Sequence, residues 1–186
     1  MKKIIFIAST LNTGGAQKVL SNLVMNLPME YEATIVLNDT ENIVYPYRGN
    51  LISLGFAAKQ NKMDLFYQLQ VFLKRVKVLR RLKKTGEYTA AVSFLDSANV
   101  ANILSGNRHC RTIVSVHNNL TESASSKIYK YLVNPMVRFL YGKADQVVTV
   151  SKGIEYDLVH NLKLSPKNIV TIYNGHDIEK IRKMSE

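Results

Sequence analysis

The residues of this sequence best suited to chemistry stand just past short apolar runs. His117 follows residues 112–116 (TIVSV), Asp96 and Asn99 follow 90–95 (AAVSFL), and Gly14-Gly15 follow 4–8 (IIFIA) after a polar link. Asn118 extends the histidine block, Ser151 follows 146–150 (QVVTV), and Asn174 follows 169–173 (IVTIY). An imidazole in such a place can donate a hydrogen bond, serve as a general base, or be an ordinary loop residue. Paired glycines before a helical pattern remove Cβ atoms where backbone N–H groups can meet an anion, or they simply make a tight turn. Ser151 reads more readily as a helix cap than as a nucleophile, and Asp96 reads also as a cap for a helix beginning near Ala98. The set is rich in amides, glycine and histidine and poor in clustered carboxylates or thiols. That chemistry suits recognition of sugar hydroxyls and a diphosphate better than hydrolysis.

Several classes are disfavoured by what is missing. A P-loop needs Lys-Ser/Thr directly after its last glycine, whereas Ala16-Gln17 follow Gly15. The dinucleotide fingerprint needs three spaced glycines, and only an adjacent pair is present. No Cys/His spacing suggests zinc, no Asp-rich run suggests magnesium, and no Gly-x-Ser-x-Gly elbow precedes a helix. No metal is expected.

Seven apolar runs position these residues: 4–8, 33–37, 51–54, 90–95, 112–116, 146–150 and 169–173. They are apolar throughout and alternate with helical patterns, which predicts a parallel sheet covered on both faces. The fold expected is therefore α/β, Rossmann-like and doubly wound, with seven mostly parallel strands flanked by helices. The longest helical signal places Leu65, Leu69, Phe72, Val76 and Leu79 on one stripe and ends at Gly86. A second long stretch is expected over 125–141, interrupted at Pro135. In such sheets ligands bind beyond the carboxyl ends of the strands, where strand order reverses. One domain is expected over 1–176, and 177–186 begins a new helical pattern.

At 186 residues, 46% hydrophobic and 21% charged, the chain has the composition of a folded domain. One cysteine, Cys110, excludes an internal disulfide. No stretch approaches the roughly 20 apolar residues of a membrane span, and the run after Lys2-Lys3 is too short for a signal peptide, so a cytoplasmic location is expected. Of the net charge of +11, residues 59–84 contribute nine Lys/Arg against Asp64, or +8. The basicity is one local patch.

The blocks LNTGGAQKVLSNL, AAVSFLDSANVANIL, TIVSVHNN, ADQVVTVSKGIEYDL and NIVTIYNGHDIEKI, in this order, resemble the amino-terminal domain of GT-B glycosyltransferases, specifically retaining family four. The resemblance covers essentially the whole chain. It implies transfer of a sugar from a nucleotide-sugar donor, a UDP- or GDP-sugar, to a glycan acceptor in a cleft between two Rossmann-like domains. It places Gly14 and Gly15 against the donor diphosphate and gives His117 a role in orienting and stabilising the transferred sugar. Gln17, Asp96, Asn99, Asn118, Ser151 and Asn174 are the expected substrate-binding residues. No cofactor is bound tightly and no metal is required in such enzymes. Two departures stand out: many members carry Glu where this chain has Gln17, and the family's second, donor-binding domain is absent from the sequence. Residues 177–186 then read as the start of a linker towards it, and the fragment alone is expected to be inactive.

The basic segment supports an acceptor carried on a lipid. Lys74, Arg75, Lys77, Arg81 and Lys84 are expected to face an anionic membrane, each worth about 1 kcal/mol near the surface. The plainer alternative is a core-packing helix with a solvated charged face. Nucleic acid is disfavoured, because no interleaved aromatics or known module accompany the charge. The rival functional reading is a non-enzymatic Rossmann-like module that docks on a membrane or a protein partner.

Overall fold

β-Branched and aromatic residues are frequent in the strands, and small or polar residues follow them, among them Ser9, Asn38, His117 and Ser151. The computed structural model describes residues 1–56, 65–106, 109–121 and 134–175, together with Arg182. The strands are β1 (Lys2–Ile7), β2 (Tyr31–Leu37), β3 (Asn50–Ser53), β4 (Tyr88–Phe94), β5 (Arg111–Val116), β6 (Gln146–Thr149) and β7 (Ile169–Thr171). They form one sheet in the order β3-β2-β1-β4-β5-β6-β7, and every neighbouring pair is parallel. Strand order reverses between β1 and β4, so the switch point lies at their carboxyl ends. The helices are α1 (Gly15–Met25), α2 (Leu65–Lys84), α3 (Asp96–Leu104), α4 (Asn134–Tyr141) and α5 (Lys152–Tyr156), the last continued by a π-helical turn over Asp157–Asn161. This is the Rossmann-like doubly wound α/β fold that the alternating pattern predicts.

Register sorts the core into two faces. On one, Ile5 and Ile7 of β1, Ala91 of β4 and Val114 and Val116 of β5 pack under α2 to α5. On the other, Phe6, Ala8, Ile35, Leu37 and Phe94 pack against Ala16, Leu20 and Val24 of α1, an i, i+4, i+8 stripe. Among the described helices only α1 packs on this second face, joined by Ile43 and Tyr45 of the loop after β2. A cleft of about 700 Å³ therefore remains beside α1, floored by Phe94, Ser115, Val148 and Val150.

Several boundaries differ from expectation. Asp96 opens α3 instead of preceding it, because Leu95 takes the cap position with φ 71° and ψ 158°. In α4, Pro135 is the second described residue, so the interruption expected there falls at the edge of the described residues. The rest of the helix expected over 125–141 lies outside the described residues. So do the proposed domain end at 176 and all of the tail 177–186 except Arg182.

The face that α2 buries is the main correction. Leu69 is exposed, while Arg75 and Lys83, four and eight positions from Leu79 and Arg75, are buried at 2% and 0%. Arg75 thus faces the protein interior and not a membrane, because it finds hydrogen-bond acceptors at the strand tips. Lys83 Nζ donates to the Asn102 carbonyl at 2.7 Å and to Thr112 Oγ1 at 3.3 Å, at the amino-terminal edge of the sheet. Desolvation pulls the Lys83 ammonium down to about 8, partly opposed by Cys110 and Asp145.

That depression has a sign in stability. An unfolded lysine titrates near 10.4, so between about pH 8 and 10.4 the unfolded chain holds more protons than the folded one. Stability contributed by this site therefore rises with pH across that window. Urea unfolding at pH 7.5 and 9.5 should show a gain of about 2 kcal/mol from this site in the wild type that Lys83→Met lacks. An identical pH response in both proteins would contradict the assignment.

Candidate functional site

Parallel strands all end on one edge, and β1, β4, β5, β6 and β7 are consecutive neighbours. Residues following β1, β4 and β5 consequently converge, since two inter-strand spacings amount to about 10 Å. The structure brings Gly14, Gly15, Asp96, His117, Asn118, Ser151 and Asn174 to that single edge.

The two glycines play different parts. Gly14 caps α1 with φ 132° and ψ 154°, a conformation closed to side-chain-bearing residues. A Cβ there would also lie 2.4 Å from Gln17 Oε1, because the Gln17 side chain folds back over this residue. Gly15 begins the helix, is exposed, and has nothing within 4 Å of the Cβ position. Helix α1 carries no acidic residue in its first turn and no side-chain cap bond, so no side chain caps its amino-terminal N–H groups.

His117 is half-buried at the tip of β5. Its Nε2 shares a 3.0 Å hydrogen bond with the Ser115 hydroxyl, which leaves Nδ1 to meet a ligand. The Phe94 ring stands 5.8 Å away, centroid to centroid. Burial lowers the imidazole below its ordinary 6.5, so the ring is neutral at pH 7. Behind it, Asp157 in the π-helical turn accepts from Leu120 N at 3.0 Å and Thr121 N at 3.2 Å, and also from the Thr121 hydroxyl. This buried carboxylate clamps the loop that His117 begins.

Asp96 is half-buried at the first position of α3, one residue after the strained Leu95. Desolvation raises its carboxyl above the ordinary range, and the Tyr141 hydroxyl, 3.5 Å from Oδ1, partly opposes that. Asn99 corrects the sequence reading. Its side chain is wholly buried, with Nδ2 donating to the Ser115 carbonyl at 3.1 Å and to the Tyr141 hydroxyl at 3.2 Å. It ties α3 to β5 from below, and does not stand on the rim. Ser151 Oγ accepts from Ile154 N at 3.3 Å, the bond of an N-cap. Asn118 is exposed, and Asn174 lines the cleft beside α1. Among the described residues no three His, Cys, Asp or Glu side chains come together as metal ligands would.

Sequence reasoning overlooked Ser115, Phe94, Tyr141, Asp157 and the buried role of Arg75. Ser115 was legible, since it lies two residues before His117 on the same face of β5. The others reach the site through tertiary packing and carry no local signal.

On the α2 surface, Lys77, Arg81 and Lys84 are exposed and continue a stripe begun by Phe66, Leu69 and Leu73, themselves 69%, 51% and 56% exposed. Lys74 is exposed too, and its Nζ donates to the Leu54 carbonyl and lies 4.9 Å from the Phe56 ring centroid. Among the described residues no helix is long and apolar enough to cross a membrane.

Comparison with known proteins agrees with this architecture. The chain is 27% identical over 184 residues to N-acetylgalactosamine-N,N'-diacetylbacillosaminyl-diphospho-undecaprenol 4-alpha-N-acetylgalactosaminyltransferase of Campylobacter jejuni, covering 97% of this chain and 50% of that enzyme. It is 29% identical over 134 residues to the same organism's GalNAc-alpha-(1->4)-GalNAc-alpha-(1->3)-diNAcBac-PP-undecaprenol alpha-1,4-N-acetyl-D-galactosaminyltransferase, covering 71% and 36% respectively. The chain thus spans half or less of the length of these curated relatives. Among solved structures, Anabaena Alr3699/HepE in complex with UDP and glucose superposes with a TM-score of 0.66 at 16% identity, over 100% of this chain and 50% of that one. That likeness shows the fold. The model of Glycosyltransferase Family 4 matches residues 13–180, from the glycine loop past β7, and the chain belongs to that family.

Proposed function

We propose that this chain is the acceptor-side half of a retaining glycosyltransferase that moves a sugar from a nucleotide-sugar to a lipid-linked glycan. The observation that carries the proposal is the meeting of a glycine-capped helix start, a half-buried imidazole and a half-buried carboxyl at the switch point of a parallel sheet. In this reading the N–H groups at Gly14 and Gly15 face the donor diphosphate, His117 Nδ1 meets the transferred sugar, and Asp96 and Asn118 meet hydroxyls. His117 acts by orientation and charge stabilisation, not as a covalent nucleophile. Asn174 and the cleft beside α1 border the acceptor side, and a second Rossmann-like domain beyond residue 176 holds the nucleotide. Both curated relatives are named for transfer to undecaprenol-diphosphate glycans, which supports an acceptor of that class. HepE was solved with UDP, which supports a UDP-sugar donor.

The test is transfer by the complete transferase carrying this chain. Incubation with UDP- and GDP-sugars and a polyprenyl-diphosphate-linked glycan should extend the glycan from a UDP-sugar without added metal. No extension from any nucleotide-sugar would defeat the proposal.

A lipid-borne acceptor calls for a protein that visits the cytoplasmic face of a membrane. The exposed stripe on α2 suits that, its aromatic and aliphatic half able to enter the interface and its Lys77, Arg81 and Lys84 half able to pair with anionic lipid. Flotation with vesicles containing phosphatidylglycerol should recover the protein. Changing the three cations to alanine should weaken partitioning roughly 100-fold, from about 1 kcal/mol each. Binding indifferent to those changes would remove this part of the reading.

A further inference from the structure

Arg75 reaches from the middle of α2 to the tips of three strands. Its Nε and Nη2 donate to Asn38 Oδ1 at 3.2 and 2.6 Å, Nη2 to Ser9 Oγ at 3.2 Å, and Nη1 to Ser97 Oγ at 2.9 Å. Asn38 directly follows β2, Ser9 lies just beyond β1 at the head of the loop leading to Gly14, and Ser97 is the second residue of α3, beside Asp96. All three partners are neutral, and burial pulls the guanidinium down to about 10.

A buried cation bonded to neutral groups is a poor device for stability alone, since an apolar side chain of similar volume often does as well. What the guanidinium provides instead is a rigid planar fork that reaches three directions at once, which an ammonium cannot copy. The walls it joins are the ones that bear the site. One carries the Gly14 cap, closed to other residues by its backbone angles. The other begins at Leu95, whose φ of 71° and ψ of 158° are sparsely populated for a residue with a side chain and persist only when surroundings enforce them. The Ser97 bond is one such enforcement.

We propose that Arg75 is a positioning residue of the crevice: by bridging Ser9 and Ser97 it sets the separation between the glycine loop and Asp96, so that both walls address one ligand. Its kinetic consequence rests on the transfer reading above, whereas its structural consequence does not. The variants are Arg75→Met, Arg75→Lys and the milder Ser97→Ala. Amide hydrogen exchange in the protein itself should quicken at least tenfold at residues 9–15 and 95–98 in Arg75→Met, with the centre of β4 unchanged. In the transfer assay kcat should fall at least tenfold at a temperature where the variant is fully folded, with a smaller loss in Ser97→Ala and only partial recovery in Arg75→Lys. Unaltered exchange in both loops would overturn the proposal, as would an activity loss that merely follows the unfolded fraction. Should Arg75→Met fail to fold, Ser97→Ala decides the matter by exchange at 95–98 and by kcat. A wild type without transfer would sink the transfer reading while leaving the exchange result to judge Arg75.

Discussion

Replacing His117 by alanine should lower kcat of sugar transfer by about 10²–10³-fold, the usual consequence of removing one preorganised donor from a site of developing charge. The donor KM should change far less, because most of the nucleotide is expected to be held elsewhere. The geometry behind this is specific. The Ser115 hydroxyl engages Nε2 at 3.0 Å, Phe94 closes one side of the ring, and Asp157 clamps the following loop. Burial lowers the imidazole, so protonation sets in only below its ordinary 6.5. Transfer should therefore be flat from about pH 7 upward and fall on the acid side, where both ring nitrogens carry protons and the imidazole is charged. The alanine variant should lose that acid limb. A variant with near-normal kcat, or one that keeps the limb, would take His117 out of the site.

The second large effect separates the paired glycines. Gly14→Ala places a side chain at φ 132°, which the loop must rearrange to avoid, and displaces the Gln17 side chain that folds over this residue. A cost of about 1–3 kcal/mol in stability is expected from the backbone alone. Transfer should fall by about 100-fold or more, since ångström-scale misplacement of a binding group is enough for that. Gly15→Ala offers the control. Its site is open and helical, so the protein should gain up to about 1 kcal/mol in stability from helix propensity. If a diphosphate approaches there, the new methyl should still raise the donor KM. Thermal unfolding and steady-state kinetics on both variants check this pair, and an innocuous Gly14→Ala would contradict the loop's role.

The sheet was legible because its strands are largely apolar on both faces and bounded by small or polar residues, a pattern that depends on local sequence alone. The same pattern located the rim, since parallel strands send every following residue to one edge. Legibility failed where side chains choose partners across the fold. The α2 stripe read from Leu65 to Leu79 omits Arg75 and Lys83, because hydrophobic periodicity assigns every cation to solvent. Here distant acceptors, Asn38 and Ser97 for one and Asn102 for the other, draw the charges inward. Asn99 misled for the converse reason. Its place one turn into α3 matched the rim in sequence, but the helix turns it beneath Ser115 and Tyr141. Leu95 gave no warning at all, as nothing in a leucine announces a positive φ.

The central claim is that one sugar-transfer crevice lies at the tips of β1, β4 and β5. A crystal structure of the complete transferase with an unreactive UDP-sugar analogue measures it directly. The account predicts the diphosphate against the N–H groups of Gly14 and Gly15, with the sugar within hydrogen-bonding distance of His117 Nδ1. Density for the analogue at the amino-terminal edge of the sheet, or more than a few ångströms from both the glycines and the imidazole, would contradict it.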